Sequence, residues 1–249
     1  INKENMMIEY YITTDEASSV MTEVEMDYIE MSPQEERPWL LWAFFKMNEV
    51  DEKGFPTASE LSGLQEAAMS LEEALTKELD AVYVGQRYAE GWMELYFYAP
   101  TAKRFQTIVT EHASARYVFD SGSSRDAKWE HYRYTLYPDA LMQQQIQSRD
   151  IIAELKEAGD DLSRSREVEH YLQFQTEANA KRAGEKLALE GFAVKEISYD
   201  SSEEYPHVLT LTKEHCIDEA LLEKLAKTLI EAASKEHGLY AGWSTALAS

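Results

Sequence analysis

The stretch Arg166-Glu167-Val168-Glu169-His170-Tyr171-Leu172-Gln173-Phe174 alternates strictly. Val168, Leu172 and Phe174 fall on one side of a two-residue period and Glu167, Glu169, Tyr171 and Gln173 on the other. That period belongs to a β-strand with one buried and one outward face. The residues downstream constrain the fold further. Residues 176–190 read as a helix with Ala180, Ala183 and Leu187 inward and Gly191 as its stop. Residues 192–199 and 205–213 read as strands joined by the acidic turn 200–204, with His207, Leu209 and Leu211 on one face of the second. Residues 217–236 are amphipathic through Ile217, Leu221, Leu225, Leu229 and Ala232, and after Gly238 residues 239–247 supply a last short strand holding Trp243. The order is β-α-β-β-α-β.

The same order reads once more upstream. Residues 37–49 form a strand with Trp39, Leu41, Ala43 and Phe45 on one face and Leu40, Trp42 and Phe44 on the other. A strand apolar on both sides is covered on both sides, and the expected cover is the N-terminal hairpin, the second domain or another subunit. After the turn at 54–56, residues 59–79 form a helix through Leu61, Leu64, Ala68, Leu71 and Leu75. Residues 81–88 and 92–99 are strands around the hairpin turn Glu90-Gly91; 101–112 is a helix through Phe105, Ile108 and Val109, and 116–120 is the sixth element. A hairpin of residues 8–14 and 20–31 precedes this unit; a loop at Ser121-Gly122-Ser123-Ser124 and one more strand at 129–137 come after it. Pro138 then opens a connecting helix at 139–158, with Ile151, Ile152 and Leu155 on its later face. The expected fold class is α+β: two tandem ferredoxin-like (split βαβ) domains. Residues 1–140 carry the extra hairpin and strand, and residues 141–249 carry the leading helix.

Charge narrows the function classes. The chain has 46 acidic and 24 basic residues, a formal net charge of −22, shared as 26 against 12 in residues 1–140 and 20 against 12 in residues 141–249. Such a field repels a phosphate backbone, so direct nucleic-acid binding is disfavoured, and it steers in a basic protein surface. No apolar run approaches the ~20 residues that span a bilayer, and no leader is visible; the expected location is the cytoplasm, with no membrane partner. The single cysteine, Cys216, excludes an intramolecular disulfide and a multi-cysteine metal site. No cofactor is expected.

Side chains with chemistry are few. Glu23, Glu25 and Asp27 recur on one strand face, but neighbours at that spacing sit ~6.8 Å apart, too far for one ion without other ligands; they read as a solvated face. The serine loop lacks the glycine spacing and lysine of a phosphate cradle. His170 lies on the apolar face of its strand, and His207 is its expected neighbour there. As a pair they read as hydrogen-bonded core histidines, with a metal, acid-base or small-molecule site as the alternative. His131 and Cys216 sit in no recognised catalytic context. On the helix-free face, RNA-binding members of this fold class carry aromatics and basic residues; here Glu167, Glu169, Tyr171 and Gln173 stand instead. That face is the candidate protein-interaction surface. A scaffold that forms a homo-oligomer through the strand 39–45 is a further class.

The segment Arg149-Asp150-Ile151-Ile152-Ala153-Glu154-Leu155, followed by Gly159-Asp160-Asp161, Val168-Glu169-His170, Gly191-Phe192 and Tyr240-Ala241-Gly242-Trp243, resembles the family called regulator of ribonuclease E activity B over residues 147–247. Residues 1–140 resemble a domain family of unknown function often found ahead of it. The resemblance implies a non-catalytic protein that binds a ribonuclease on a regulatory region and lowers RNA cleavage. Gly159, Asp160, His170, Gly191, Phe192, Tyr240, Gly242 and Trp243 are the motif residues, expected to be structural; Arg166 and Trp243 are expected to hold the domain together.

Overall fold

The computed structural model describes residues 7–14, 18–113 and 116–248. The chain divides into two compact units, Ile1–Pro138 and Asp139–Ser249.

In the first unit, β1 (Ile8–Thr14) and β2 (Ser19–Glu25) pair antiparallel with Ile8 opposite Glu25. The strand reading of 20–31 runs too far. The chain leaves the sheet after Glu25 and coils into the short helix α1 (Tyr28–Met31), because the Tyr28 ring is buried 5.6 Å from Trp129 and 6.2 Å from Tyr132. Next come β3 (Trp39–Lys46), α2 (Ala58–Leu79), β4 (Val82–Ala89), β5 (Trp92–Ala99), α3 (Phe105–Ala113) and β6 (Phe119–Arg125). Thr57 caps α2 by accepting from the Glu60 N–H at 3.3 Å. Leu64, Leu71 and Leu75, fully buried at helical spacing, pack on Leu41, Ala43 and Phe45. Glu90 and Gly91 both take positive φ, 51° and 82°, as a tight hairpin turn requires.

The sheet order is β1-β2-β4-β5-β3-β6, all neighbours antiparallel. Two expectations fail here. Ser121 to Ser124 do not form a loop: they lie within β6, with Gly122 opposite Trp42. Gly122 is required because the Trp42 ring lies over it, and a Cβ there would come within 2.3 Å of that ring. Residues 129–137 do not form a strand either; Tyr132–Leu136 is a π-helical turn. Trp129, Tyr132 and Leu136 recur at three and four residues, and all are fully buried. This segment also supplies cover that was expected from elsewhere. On the second face of the sheet Trp129 stacks on Tyr98 at 4.0 Å and His131 lies 4.4 Å from Tyr96, while Tyr98 and Tyr96 sit opposite Leu40 and Trp42 of β3. The first unit's own end therefore covers part of the doubly apolar strand, and β3 has a sheet neighbour on each side.

The second unit runs α4 (Ala140–Glu157), β7 (Arg166–Phe174), α5 (Glu177–Leu189), β8 (Ala193–Tyr199), β9 (His207–His215), α6 (Glu219–Lys235) and β10 (Gly238–Thr245). Asp139, Thr176 and Asp218 cap the three helices through their side chains. The sheet order is β10-β7-β9-β8. Numbered within each β-α-β-β-α-β run, both units place strands in the same sequence: second, third, first, fourth. Leu172 and Phe174 of β7 meet Ala183 and Leu187 of α5 and Leu229 of α6 in one core. Ile152 and Leu155 of α4 pack with Val168 and Trp243 in a second.

Gly238 opens β10 where there is no room for a side chain. A Cβ would lie 2.3 Å from the Phe174 ring and 2.5 Å from the Gln173 carbonyl. Gly238→Ala is therefore expected to destabilise the second unit by about 1–3 kcal/mol, the range for overpacking a filled site; a denaturation midpoint equal to the parent's would contradict this.

Candidate functional site

The alternation of β7 sorts its side chains into two environments. Val168, His170, Leu172 and Phe174 are buried towards the helices, while Glu167, Glu169, Tyr171 and Gln173 face the other way, exposed or half-exposed.

On the outward side Tyr171 Oη donates to Glu169 Oε2 at 3.0 Å, and with that proton committed Ser244 Oγ donates to Tyr171 Oη at 2.7 Å. Lys195 Nζ pairs with the other oxygen of Glu169. The lysine, then the tyrosine, hold the Glu169 carboxyl below its ordinary range. Glu167 lies exposed directly opposite exposed Glu214 of β9. Like charges facing each other across a strand pair are destabilising, and Glu196 adds a third exposed carboxylate opposite Thr210 on the same side.

At the start of β7 this face borders a cavity of about 540 Å³ whose walls include Arg164, Arg166, Glu167, Glu169, Ser244 and Thr245. Arg166 is nine-tenths buried and reaches both oxygens of fully buried Asp160 at 2.6 Å. It also donates to the carbonyls of Asp161 and Ala246 at 3.2 Å, and Asp160 accepts from Ala248 N–H at 2.7 Å. Those bonds tie the end of the chain to the entrance of β7. They also lower the Asp160 carboxyl's pKa, chiefly through Arg166.

On the inward side the expected pairing of His170 with His207 fails. His207 sits opposite Phe174 with its ring 5.0 Å from Tyr199, and the neighbour of His170 is His215. The bonds order every proton. His215 Nδ1 lies 2.7 Å from the Cys216 carbonyl, which only accepts, so Nδ1 carries the hydrogen and Nε2 of the neutral ring is an acceptor. His170 Nε2 at 3.4 Å must then donate to it, leaving His170 Nδ1 to accept from Tyr240 Oη at 2.9 Å. Burial, then His215 and Lys213, press the His170 pKa down to about 3. Burial also lowers His215 and raises the Tyr240 phenol. The hydrogen-bond chain is satisfied while both rings are neutral; a proton on His215 Nε2 would face the Nε2–H of His170, and one on His170 Nδ1 would displace the hydrogen that Tyr240 Oη donates. Among the described residues no group of three or more His, Cys, Asp and Glu is arranged to hold a metal ion, and no helix is long and apolar enough to cross a membrane.

Residues 9–137 match the model of a family of unknown function (DUF695), and residues 145–245 match the model of regulator of ribonuclease activity B. The chain belongs to the DUF695 family. Its second unit carries the ribonuclease-regulator match. No curated protein matches the chain. Among solved structures it is similar to an unknown protein from Galdieria sulphuraria, at 10% identity over 82% of this chain and 99% of that one with a TM-score of 0.23, a similarity too low to bear on the fold.

Within the regulator-matched region the motif residues lie at turns, at a bulge and in packed contacts. Gly159 follows α4 with φ of 78°, and Asp160 holds Arg166. Phe192, after Gly191, meets the His170 ring edge-on at 5.6 Å and lies under Lys213 Nζ at 4.3 Å. Gly242 sits at a β-bulge with φ of 117°, where a Cβ would come 3.2 Å from Gln147 Oε1. Trp243 donates from Nε1 to Ser148 Oγ of α4 at 2.9 Å. His215 had no signal of its own in the sequence; its role appears only through its distance to His170. Ser121 lies in β6, His131 just before the π-helical turn and Cys216 between β9 and α6.

Proposed function

We propose that this chain is a non-catalytic regulator that binds a ribonuclease through the acidic, helix-free face of its second unit and lowers RNA cleavage. The observation that carries the reading is the exposed pair Glu167 and Glu214 beside Glu169 on a unit matched by the regulator model. A basic segment laid across that face would relieve the cross-strand repulsion and neutralise the patch. The chain's charge of −22 supports the same choice of partner. The shared strand order of the two β-α-β-β-α-β runs supports reading both as ferredoxin-like domains, divided near residue 140. The helix-backed face at His170 is filled and its hydrogen bonds are complete, so the outward face is the better candidate for recognition. Cytoplasmic action beside a ribonuclease fits this reading.

The test is binding of the full chain to a ribonuclease E-type enzyme across a salt series, with RNA cleavage as a second readout. Glu167→Lys with Glu169→Lys is expected to weaken binding about tenfold or more and to relieve inhibition, with parent affinity falling as salt rises. An affinity indifferent to both salt and the double substitution would remove the reading.

A further inference from the structure

We infer that β1 is the surface through which two copies of this chain associate, pairing antiparallel with β1 of the second copy about a two-fold axis at Tyr11. The inference is independent of the ribonuclease reading. It moves self-association from β3, which has a strand on each side, to the edge of the same sheet.

Among the described residues β1, β6, β8 and β10 end the two sheets. Edge strands are ordinarily guarded against further pairing by bulges, charges or prolines. β8 and β10 are each broken by a bulge, and β6 carries Asp120 and Arg125. β1 pairs with β2 over seven residues without a register shift, and its only charge is Glu9. The Met26 N–H donates to the Met7 carbonyl at 2.8 Å, in register with Ile8 opposite Glu25. Antiparallel ladders alternate, so the odd-numbered residues of β1 bond to β2 and the peptide groups of Ile8, Ile12 and Thr14 point away from it. Side chains follow the same alternation: Ile8, Tyr10 and Ile12 form a half-exposed apolar row. Met21, opposite Ile12, packs at the margin of the first unit's core.

The strand is complementary to itself. A two-fold axis at Tyr11 sets Ile8 opposite Thr14 and Tyr10 opposite Ile12, so the outward peptide groups meet and the apolar rows of the two copies join. Glu9 then faces Thr13 and not another carboxylate. Charge selects the same occupant. A chain of −22 repels its own copy, so two copies can meet only where acids are sparse, and β1 is such a strip. Glu23 and Glu25 of β2 would stay three strand spacings from their counterparts, about 14 Å, beyond the ~8 Å screening length. A basic partner finds little on β1 to neutralise.

Analytical sedimentation of the full chain across a concentration series is expected to show one chain passing to two and no larger species, because two-fold pairing closes. Raising salt should strengthen this association by screening the mutual repulsion, the opposite of its effect on ribonuclease binding. Ile12→Pro removes an N–H that points away from β2, a position where an edge strand accepts proline. It should weaken the dimer about tenfold or more while the far-UV circular dichroism stays that of the parent. Thr13→Glu, facing Glu9 of the second copy in both symmetric contacts, should weaken the dimer about tenfold, and Thr13→Lys should strengthen it about threefold. Should Ile12→Pro lose the parent's circular dichroism, the Thr13 pair decides. A chain that stays monomeric throughout, a dimer indifferent to a folded Ile12→Pro, or Thr13→Glu and Thr13→Lys acting alike would overturn the inference.

Discussion

Trp129→Ala is expected to destabilise the first unit by about 3–5 kcal/mol, the cost of deleting a large buried aromatic. The ring is fully buried, lies parallel to Tyr98 at 4.0 Å and 10°, meets Tyr132 edge-on at 6.0 Å and lies tilted to Tyr28 at 5.6 Å. Its Nε1 donates to the Arg37 carbonyl at 3.0 Å, so truncation opens a void and orphans that carbonyl as well. Trp129 also has φ of 58°, a left-handed backbone that side chains tolerate poorly. Glycine relieves that strain and alanine does not, so Trp129→Gly should be less damaging than Trp129→Ala by roughly 1 kcal/mol. Chemical denaturation of the three proteins measures both differences. A cost below about 1 kcal/mol for alanine, or glycine proving the worse of the two, would mean that the ring does not hold this face as described.

The second unit should lose stability in mild acid through the His170 and His215 pair. The His170 pKa stands near 3 in the folded protein against an ordinary 6.5. Between those values the unfolded chain binds a proton that the folded one refuses, so stability rises with pH across the window. The neutral-ring contribution is complete above about pH 6.5 and is lost progressively as pH falls towards 3. At about pH 5 the deficit from His170 alone is on the order of 2 kcal/mol, and His215, shifted the same way, adds to it. His170→Leu should flatten this slope. It should also cost about 1–3 kcal/mol at neutral pH for each polar group left unpaired, namely the Tyr240 hydroxyl and His215 Nε2. Denaturation midpoints in neutral and mildly acidic buffer separate the two effects. A parent protein as stable at pH 5 as at neutrality would contradict the buried neutral pair; His131, lowered to about 4 by burial, contributes in the same direction in the first unit.

Much of this architecture is legible in short-range periodicity. The strict alternation of β7, the leucine spacing of α2 and the Glu90-Gly91 turn each identify an element without reference to the rest of the chain. The failures share a cause. The segment after β6 carries aromatics whose partners lie on α1 and β5, and its left-handed Trp129 reverses the chain where pattern alone suggests extension. Ser121 to Ser124 look like a loop because they are small and polar, yet they pair with β3, and Gly122 lacks a side chain where the Trp42 ring overlies it.

The division is the same at the candidate site. Which side chains of β7 face outward follows from a two-residue period, so the chain's own order groups Glu167, Glu169, Tyr171 and Gln173 together. Which histidine meets His170 is not settled that way, because His207 and His215 lie on the same face of β9 and only the registered sheet and the bond to Cys216 turn His215 towards it. The cavity likewise needs residues 164–169 and 244–248 brought together. Periodicity is a property of neighbours along the chain; a hydrogen-bond partner or a cavity wall is a property of neighbours in space, and those are set when the strands pair and the core closes.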